Sequence, residues 1–279
     1  MALDLQELIR QTARGLEQKM RRRVACRVHN EIIDLEVGTE LEKFRAETYA
    51  TKEPETLEWI ERYFRPGHVM FDVGANIGLY ALYAAKFLKR QCRVYAFEPE
   101  ALNFAQLSKH VFINQCSGVI IPCGFAICDR LRLETFHLNP HSFETICHGE
   151  MTPGTALHAF GKPVDHAGKS FRPHHVQKAF GASIDALWAE WGFEFPQHIK
   201  IDVDGLEEQV VAGAERTLRD ARLRSVLVEI SAKLGHLDPI LRKMLASGFR
   251  QVTDFRAHSR DQLKGTPYED SVNTVFIRG

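Results

Sequence analysis

The chain of 279 residues has no long apolar run, no paired cysteine motif and no excess of charge of either sign. No apolar stretch approaches the roughly 18 residues of a membrane-spanning helix, so we expect no transmembrane segment. The N-terminus lacks a basic start followed by an apolar core, which argues against a signal peptide. Six cysteines occur without a C-x-x-C pair. They are interpreted as free thiols of a reducing compartment, and we expect a cytoplasmic protein.

Charge is balanced, because lysines plus arginines and aspartates plus glutamates each number 36. An enzyme that acts on nucleic acid usually carries a basic face, so we expect no nucleic-acid partner. The basic run at 19–23 follows a helix-like segment and is interpreted as its solvated end. A hydrophobic fraction of 44% is ample for the core of one large α/β domain.

The most informative segment is an apolar run at 69–73 that stops at a turn containing Gly74, Asn76 and Gly78. This pattern indicates a buried strand that leads into a helix. A second such strand ends in Glu98, 20 positions after Gly78. Glycines let a ligand approach the backbone, and the acid can accept hydrogen bonds from both hydroxyls of a ribose. Together they predict a nucleotide-binding βαβ unit, against the alternative of a tight turn without a ligand.

The turn differs from the fingerprint of dinucleotide-binding proteins. The pattern G-x-G-x-x-G, starting at Gly74, needs glycines at two positions where the chain has Asn76 and Leu79. A wide Gly-x-x-x-Gly turn suits a ligand without a pyrophosphate, which disfavours a nicotinamide oxidoreductase. The order D-x-G-x-N-x-G, starting at Asp72, resembles the first motif of the class I methyltransferases, which use S-adenosylmethionine (SAM). We expect the turn to lie against the amino-acid end of SAM.

Strands and helices alternate after residue 66. Strands are predicted at 68–73, 92–98, 118–123, 198–203, 225–230, 249–256 and 272–278. Helices are predicted at 77–90, 100–114, 205–220 and 237–247. Alternation predicts a mostly parallel sheet with helices on both faces, closed by an antiparallel pair at the end. The core is predicted to form a domain at 66–279. The segment 1–65 is predicted to pack on it, with helices at 3–20 and 55–63 and an edge strand at 31–37.

The alternation breaks in an insertion at about 130–182. Strands are predicted at 132–138 and 176–180, and we expect the stretch 139–175 to order over the substrate as a lid. Seven of the 13 histidines lie in the insertion: His137, His141, His148, His158, His166, His174 and His175. No zinc site is predicted, because Pro140 breaks any helix that would bring His137 and His141 together.

A second signature puts charge on a strand that should be apolar. Lys200, Asp202 and Asp204 alternate onto one face, and the next strand ends in Glu229. Unpaired buried charge is costly, and ligands bind at the carboxyl edge of parallel strands. Asp202, Lys200 and Glu229 are therefore candidate catalytic residues. The alternative is a structural ion pair of Lys200 with Asp202, with Glu229 capping the next helix or bonding the backbone. A divalent cation on the three carboxylates is a further hypothesis, although no metal site is predicted.

Four motifs together resemble the FkbM-type SAM-dependent methyltransferases. They are D-V-G-A-N-I-G at 72–78, F-E-P at 97–99, I-K-I-D-V-D-G-x-E at 199–207 and V-E-I at 228–230. The family usually has glutamate where this chain has Asp204. The resemblance covers about 66–278 and implies a Rossmann-like class I methyltransferase fold that binds SAM. It assigns Asp72, Gly74, Asn76, Gly78, Glu98 and Asp202 to the cofactor, and more loosely Asp129 to the exocyclic amine of adenine.

The first hypothesis is transfer of a methyl group to a hydroxyl of a small molecule or glycan. The resemblance itself implies no particular substrate, since the family acts on varied hydroxyl acceptors. A hydroxyl needs its proton removed as it attacks, and Asp202 or a histidine of the insertion could take it. Lys200 could hold Asp202 ionised or, if desolvated, act as the base itself. Two alternatives stay open: methylation of an amine or amide nitrogen, and SAM binding without turnover.

Overall fold

The structure is a computed structural model that describes residues 21–138, 152–156, 158–164, 169–231, 237–256 and 271–278. The helix expected at 3–20 lies outside these ranges. The strands follow in the order β1 (Arg22–Val28), β2 (Glu31–Val37), β3 (Val69–Val73), β4 (Arg93–Phe97), β5 (Ile120–Cys123), β6 (Ala126–Ile127), β7 (Arg132–Leu138), β8 (Ala159–Phe160), β9 (His175–Ala182), β10 (His198–Ile201), β11 (Ser225–Ser231), β12 (Phe249–Val252) and β13 (Ser271–Arg278). The helices are α1 (Glu40–Glu47), α2 (Pro54–Tyr63), α3 (Leu79–Phe87), α4 (Ala101–Ile113), α5 (Ile184–Ala189), α6 (Glu207–Ala212), α7 (Glu215–Arg219) and α8 (Leu237–Ala246).

A seven-stranded sheet forms the centre of the molecule, in the order β5-β4-β3-β10-β11-β13-β12. The strands from β5 to β11 pair in parallel, whereas β13 is antiparallel to both of its neighbours. This arrangement confirms the mostly parallel sheet with an antiparallel last strand. The carboxyl ends of β3, β4, β10 and β11 meet at one edge, which brings the two sequence signatures together.

Apolar side chains cover both faces of this sheet. Successive residues of a strand point to opposite faces, and Met70 and Phe71 of β3 accordingly belong to different apolar clusters. Helices α2, α3 and α4 pack on the face that Met70 joins, and α5, α6, α7 and α8 supply the cluster that contains Phe71. The helices on both faces that alternation predicted are confirmed.

The N-terminal segment shares the core of the sheet. The edge strand expected at 31–37 is β2, and it pairs antiparallel with β1, which was not predicted. Val28, Ile33 and Leu35 are fully buried in the same cluster as α3. In α2, the indole Nε1 of Trp59 donates to Ser225 Oγ at 2.8 Å. The division into a segment 1–65 and a domain 66–279 stays a prediction.

The insertion forms a second, smaller sheet in the order β6-β9-β7-β8. The strands expected at 132–138 and 176–180 pair antiparallel as β7 and β9, and β6 and β8 add short pairings on either side. His141, His148 and His166 lie outside the described residues. No helix in the described ranges is both long enough and apolar enough to cross a membrane.

The single helix predicted at 205–220 is wrong, because the chain forms α6 and α7 with a break at Gly213. A Cβ on Gly213 would lie 2.2 Å from the carbonyl oxygen of Cys128. The break therefore lets the backbone of this segment pack directly against the strand end that follows β6. Close backbone approach of this kind is open only to glycine.

Candidate active site

The glycine turn after β3 packs on the ends of two neighbouring strands. The amides of Gly74 and Ala75 donate to the carbonyl oxygen of Phe97, at 3.0 and 2.9 Å. Gly74 has a φ of +78°, and a Cβ on it would lie 1.8 Å from the carbonyl oxygen of Asp202. Only glycine fits at this position. The contact brings the turn directly against the end of β10, where the second signature begins.

Glu98, at the end of β4, is tied to the same turn. Its Oε2 accepts from the amide of Asn76, and its Oε1 accepts from the amide of Glu100, both at 2.8 Å. The side chain is buried, and burial raises the pKa of Glu98 to about 8. Each carboxyl oxygen can accept a further hydrogen bond. The acid therefore joins the turn to the second strand and keeps acceptor capacity for a ligand.

Asp72 lies on β3, opposite Lys200 in the register of β3 with β10. It is buried, and neither of its carboxyl oxygens has a hydrogen bond of normal geometry to any described residue. Burial raises the pKa of Asp72 to about 6, and the nearby Lys200 ammonium acts in the opposite direction. Buried polar groups are normally satisfied, so an orphaned carboxyl group beside a glycine turn indicates a place for a cationic partner.

Lys200 is the cation at the centre of this edge. Its Nζ lies 2.6 Å from Asp202 Oδ2 and 5.2 Å from the centroid of the Tyr80 ring. Burial acts to lower the pKa of Lys200, but Asp202, Asp72 and Glu53 outweigh it and raise the pKa above its ordinary value. The side chain thus stays charged. This supports a lysine that holds Asp202 ionised over a neutral lysine that acts as a base.

Asp202 and Glu229 form a hydrogen-bonded carboxyl pair at the ends of β10 and β11. Burial acts to raise the pKa of Asp202, but the Lys200 ammonium and hydrogen bonds from Glu229 and Lys200 hold it well below its usual range. Burial and the charge of Asp202 raise the pKa of Glu229 well above its usual range. The pair therefore holds one proton on Glu229, which donates to an ionised Asp202.

Sequence reasoning missed two charged residues of this cluster, Lys52 and Glu53, which precede α2. Lys52 Nζ lies 2.8 Å from Glu53 Oε1, and Glu53 also bonds the hydroxyl of Tyr80. Burial acts to raise the pKa of Glu53, but Lys52 and Lys200 outweigh it and the pKa is lowered. Both residues come from a polar loop without periodicity, so the sequence carries no signal that they reach the sheet edge.

Glu207 of the second motif has a structural role that the sequence did not indicate. Its Oε1 accepts from the amides of Val203 and Gly205, both at 3.2 Å. Burial raises the pKa of Glu207 to about 7. Its carboxyl group therefore fixes the turn that carries Asp204, which has a φ of +54°.

Asp129 forms no ion pair with the described residues of the cluster around Lys200. Its carboxylate pairs with Arg130 at 2.8 Å and with Arg132 at 3.5 Å. Its Cα would lie 3.0 Å from a Cβ on Gly213. Its assignment to the adenine ring stays a prediction.

The described residues hold no group of three histidine, cysteine, aspartate or glutamate side chains that could bind a metal ion. The hypothesis of a cation on Asp202, Asp204 and Glu229 thus gains no support from the geometry. Asp202 is engaged by an ammonium group and by a protonated carboxyl group instead.

Part of the insertion crosses over the glycine turn. This bridging segment comprises residues 152–156. The carbonyl oxygen of Thr155 accepts from Asn76 Nδ2 at 2.7 Å and from Asn103 Nδ2 at 3.0 Å. The amide of Gly154 donates to Asn103 Oδ1 at 2.7 Å. The insertion therefore reaches the same turn that Glu98 holds, as expected of a segment that bounds a ligand site.

Comparison with known proteins identifies relatives of the chain. The family described as the Methyltransferase FkbM domain matches residues 72–251. The 31-O-demethyl-FK506 methyltransferase FkbM of Streptomyces tacrolimicus is 27% identical over 201 residues, which cover 68% of this chain and 75% of that protein.

Two solved structures show more distant likeness. A methyltransferase FkbM from Methylobacillus flagellatus KT has a TM-score of 0.49 at 14% identity, with 97% of this chain covered. The chain spans 60% of the length of that protein. TYW2 of M. jannaschii, in complex with AdoMet (SAM), has a TM-score of 0.42 at 12% identity. The match covers 93% of this chain and 88% of the TYW2 chain.

The family match extends from Asp72 at the end of β3 to β12, and it includes the turn, Glu98 and the cluster around Lys200. The sheet order and the antiparallel last strand agree with it. The chain belongs to the FkbM methyltransferase family.

Proposed function

We propose that the chain is a SAM-dependent O-methyltransferase that acts on a hydroxyl of a small molecule or glycan. The observation that carries the proposal is the contact of the glycine turn with Asp202, which joins a nucleotide-type site to a buried charge cluster. The name of the Streptomyces relative, 31-O-demethyl-FK506 methyltransferase, supports an oxygen acceptor. Five free cysteines among the described residues fit the cytoplasmic location expected from the sequence.

The residues of the carboxyl edge fit SAM. Glu98 has acceptor capacity for the ribose hydroxyls, and Asp72 offers an orphaned carboxyl group to the ammonium of the amino-acid end. Gly74 lets the turn pack directly on the backbone of Asp202, so the turn and Asp202 border the same site. When bound, SAM supplies a methyl group on a sulfonium, which is electrophilic without further activation.

The charge cluster fits the handling of the acceptor hydroxyl. In the proposed mechanism Asp202 accepts a hydrogen bond from the hydroxyl and orients its oxygen toward the methyl group. Lys200 and the proton on Glu229 keep Asp202 ionised. A carboxylate with so low a pKa is a weak base. The proton of the acceptor hydroxyl, however, becomes strongly acidic as the hydroxyl oxygen gains the methyl group. Asp202 can therefore take that proton late in the reaction.

The test is transfer of label from methyl-labelled SAM into small-molecule and glycan fractions of a cell extract, with identification of the labelled product. A product that carries an O–CH₃ group supports the proposal. A product with an N–CH₃ group overturns the oxygen acceptor and leaves the methyltransferase. SAM binding without any labelled product contradicts turnover and favours a regulatory or scaffold protein.

A further inference from the structure

A cleft of about 500 Å³ lies at the opposite edge of the main sheet and is lined by four arginines. Arg65 precedes β3, Arg224 immediately precedes β11 and Arg278 ends the antiparallel β13, so all three lie at the amino-terminal edge of the parallel strands. Glu229 is five residues along β11 from Arg224, which corresponds to about 16 Å. The cleft is therefore separate from the carboxyl edge.

Two of the four guanidinium groups are already engaged. Arg62 Nη2 lies 3.0 Å from Asp254 Oδ2. Arg278 donates to three backbone carbonyl oxygens, those of Leu218, Leu223 and Ser247, at 2.6, 3.0 and 2.9 Å. These two side chains build the walls of the cleft and hold the neighbouring elements together.

The other two guanidinium groups have no anionic partner in the described part of the chain. Arg65 and Arg224 are exposed, and no described carboxylate lies within 4.0 Å of either. Arg65 Nη1 donates to the carbonyl oxygen of Phe64 at 2.6 Å, which fixes its direction without neutralising it. The positive charges of Arg224 and Arg65 both act on the imidazole of His68. The pKa of His68 is lowered mainly by burial and further by these two charges. Two uncompensated cations thus converge on one end of the cleft.

We propose that this cleft binds the phosphate or diphosphate group of a small soluble molecule between Arg65 and Arg224. Guanidinium groups offer planar pairs of donors that match phosphate oxygens, and two uncompensated cations match a dianion. A volume of about 500 Å³ is that of a small-molecule site. Tyr63 and Ile277 add apolar surface to the lining, on which the rest of such a molecule packs.

The test is calorimetric titration of the full chain with inorganic pyrophosphate in about 150 mM NaCl, where diffuse surface attraction is screened. We expect saturable binding that weakens about 10-fold or more in Arg65→Gln and in Arg224→Gln, since each removes a charge-assisted contact. Arg27→Gln, at an exposed position of β1, makes the same charge change away from the cleft and should bind as the wild type does. Melting temperature checks that each variant is folded.

A second readout locates the bound anion. The imidazole resonances of His68 should shift on addition of pyrophosphate, and the shift should be lost in Arg224→Gln. The proposal is overturned by absence of saturable binding, by an equal loss in Arg27→Gln, by an unmoved His68 or by competition between pyrophosphate and SAM. The last outcome would put the anion at the carboxyl edge.

Discussion

At the scale of single residues, the buried ammonium of Lys200 offsets the negative charge of the carboxyl groups at the carboxyl edge of the sheet. Lys200 bonds Asp202 directly and also faces Asp72 and Glu53. Replacing Asp202 therefore leaves Lys200 with two other carboxyl groups nearby. A purely structural role of Asp202 and a role in the reaction predict different results for the same substitution.

Asp202→Asn should keep the fold and SAM binding, and it should slow methyl transfer to the identified acceptor by ~10²–10⁴-fold, the usual worth of a positioned base. Asp220→Asn is a matched control, because both carboxylates are 25% exposed and both are ion-paired, at 2.6 and 2.7 Å. The measurements are melting temperature and single-turnover rate. A stability loss of ~3–5 kcal/mol with a normal rate in the folded fraction would reduce Asp202 to an ion-pair partner.

The sequence predicts only part of the cluster. Asp202 directly follows β10 and Glu229 lies near the end of the neighbouring β11, so their proximity follows from the parallel sheet. Lys52 and Glu53 belong to a loop, and they reach the site only because α2 docks on the sheet through Trp59 and its apolar neighbours. Contacts that depend on such packing leave no pattern in the local sequence.

At the scale of elements, a buried side chain of α4 makes two of the hydrogen bonds that hold the bridging segment. Asn103 is fully buried, accepts from the amide of Gly154 and donates to the carbonyl oxygen of Thr155. The wider lid expected at 139–175 stays a prediction. Its described part already contacts the turn, so we expect it to respond to loss of this anchor.

Asn103→Ala should remove both hydrogen bonds and speed hydrogen exchange of the Gly154 amide by at least ~10-fold, since each bond is worth about 1 kcal/mol. Asn114→Ala provides the control, because Asn114 makes a similar pair of backbone contacts to Asp34, at 2.9 and 2.6 Å, far from the turn. Exchange at Gly154 that stays unchanged, or that rises equally in both variants, would show that Asn103 does not anchor the segment.

Strands made of apolar runs are predictable from the sequence, whereas the shortest strands and the helix break are not. The apolar runs that become β3, β4, β10 and β11 are buried on both faces, which gives an unmistakable pattern. The two-residue strands β6 and β8 are too short for any periodicity. The break between α6 and α7 depends on how closely Gly213 approaches the carbonyl of Cys128, which is a tertiary contact.

At the scale of the whole molecule, neutral buried histidines act to lower stability toward acid pH, whereas the raised pKa values of Glu98 and Glu207 act in the opposite direction. Burial, with a smaller effect of Arg45, lowers the pKa of His158 to about 4 from an ordinary value of 6.5. A histidine whose pKa is lower in the folded than in the unfolded protein adds stability at a pH above its unfolded pKa. This stability is lost as pH falls through its folded pKa. A shift of this size corresponds to about 3 kcal/mol. The pKa of the buried His198 is lowered as well, so it acts in the same direction.

Urea unfolding between about pH 7 and pH 4 measures this loss. As pH falls, the free energy of unfolding of the wild type should drop relative to that of His158→Gln by up to about 3 kcal/mol, because only the wild type carries the buried imidazole. His175→Gln, at an exposed position, should follow the wild type. An identical slope in His158→Gln would mean that His158 is free to take up a proton in the folded protein.

The central claim is that the carboxyl edge of the main sheet binds SAM, and calorimetric titration with SAM tests it most directly. We expect one saturable site, weakened at least ~10-fold in Glu98→Gln, because glutamine has one acceptor oxygen where the carboxyl group has two, and a buried donor left unsatisfied costs roughly 1–3 kcal/mol. Glu190→Gln, an exposed change of the same kind, should bind as the wild type does. Absence of SAM binding, or equal affinity in Glu98→Gln and the wild type, would contradict the account.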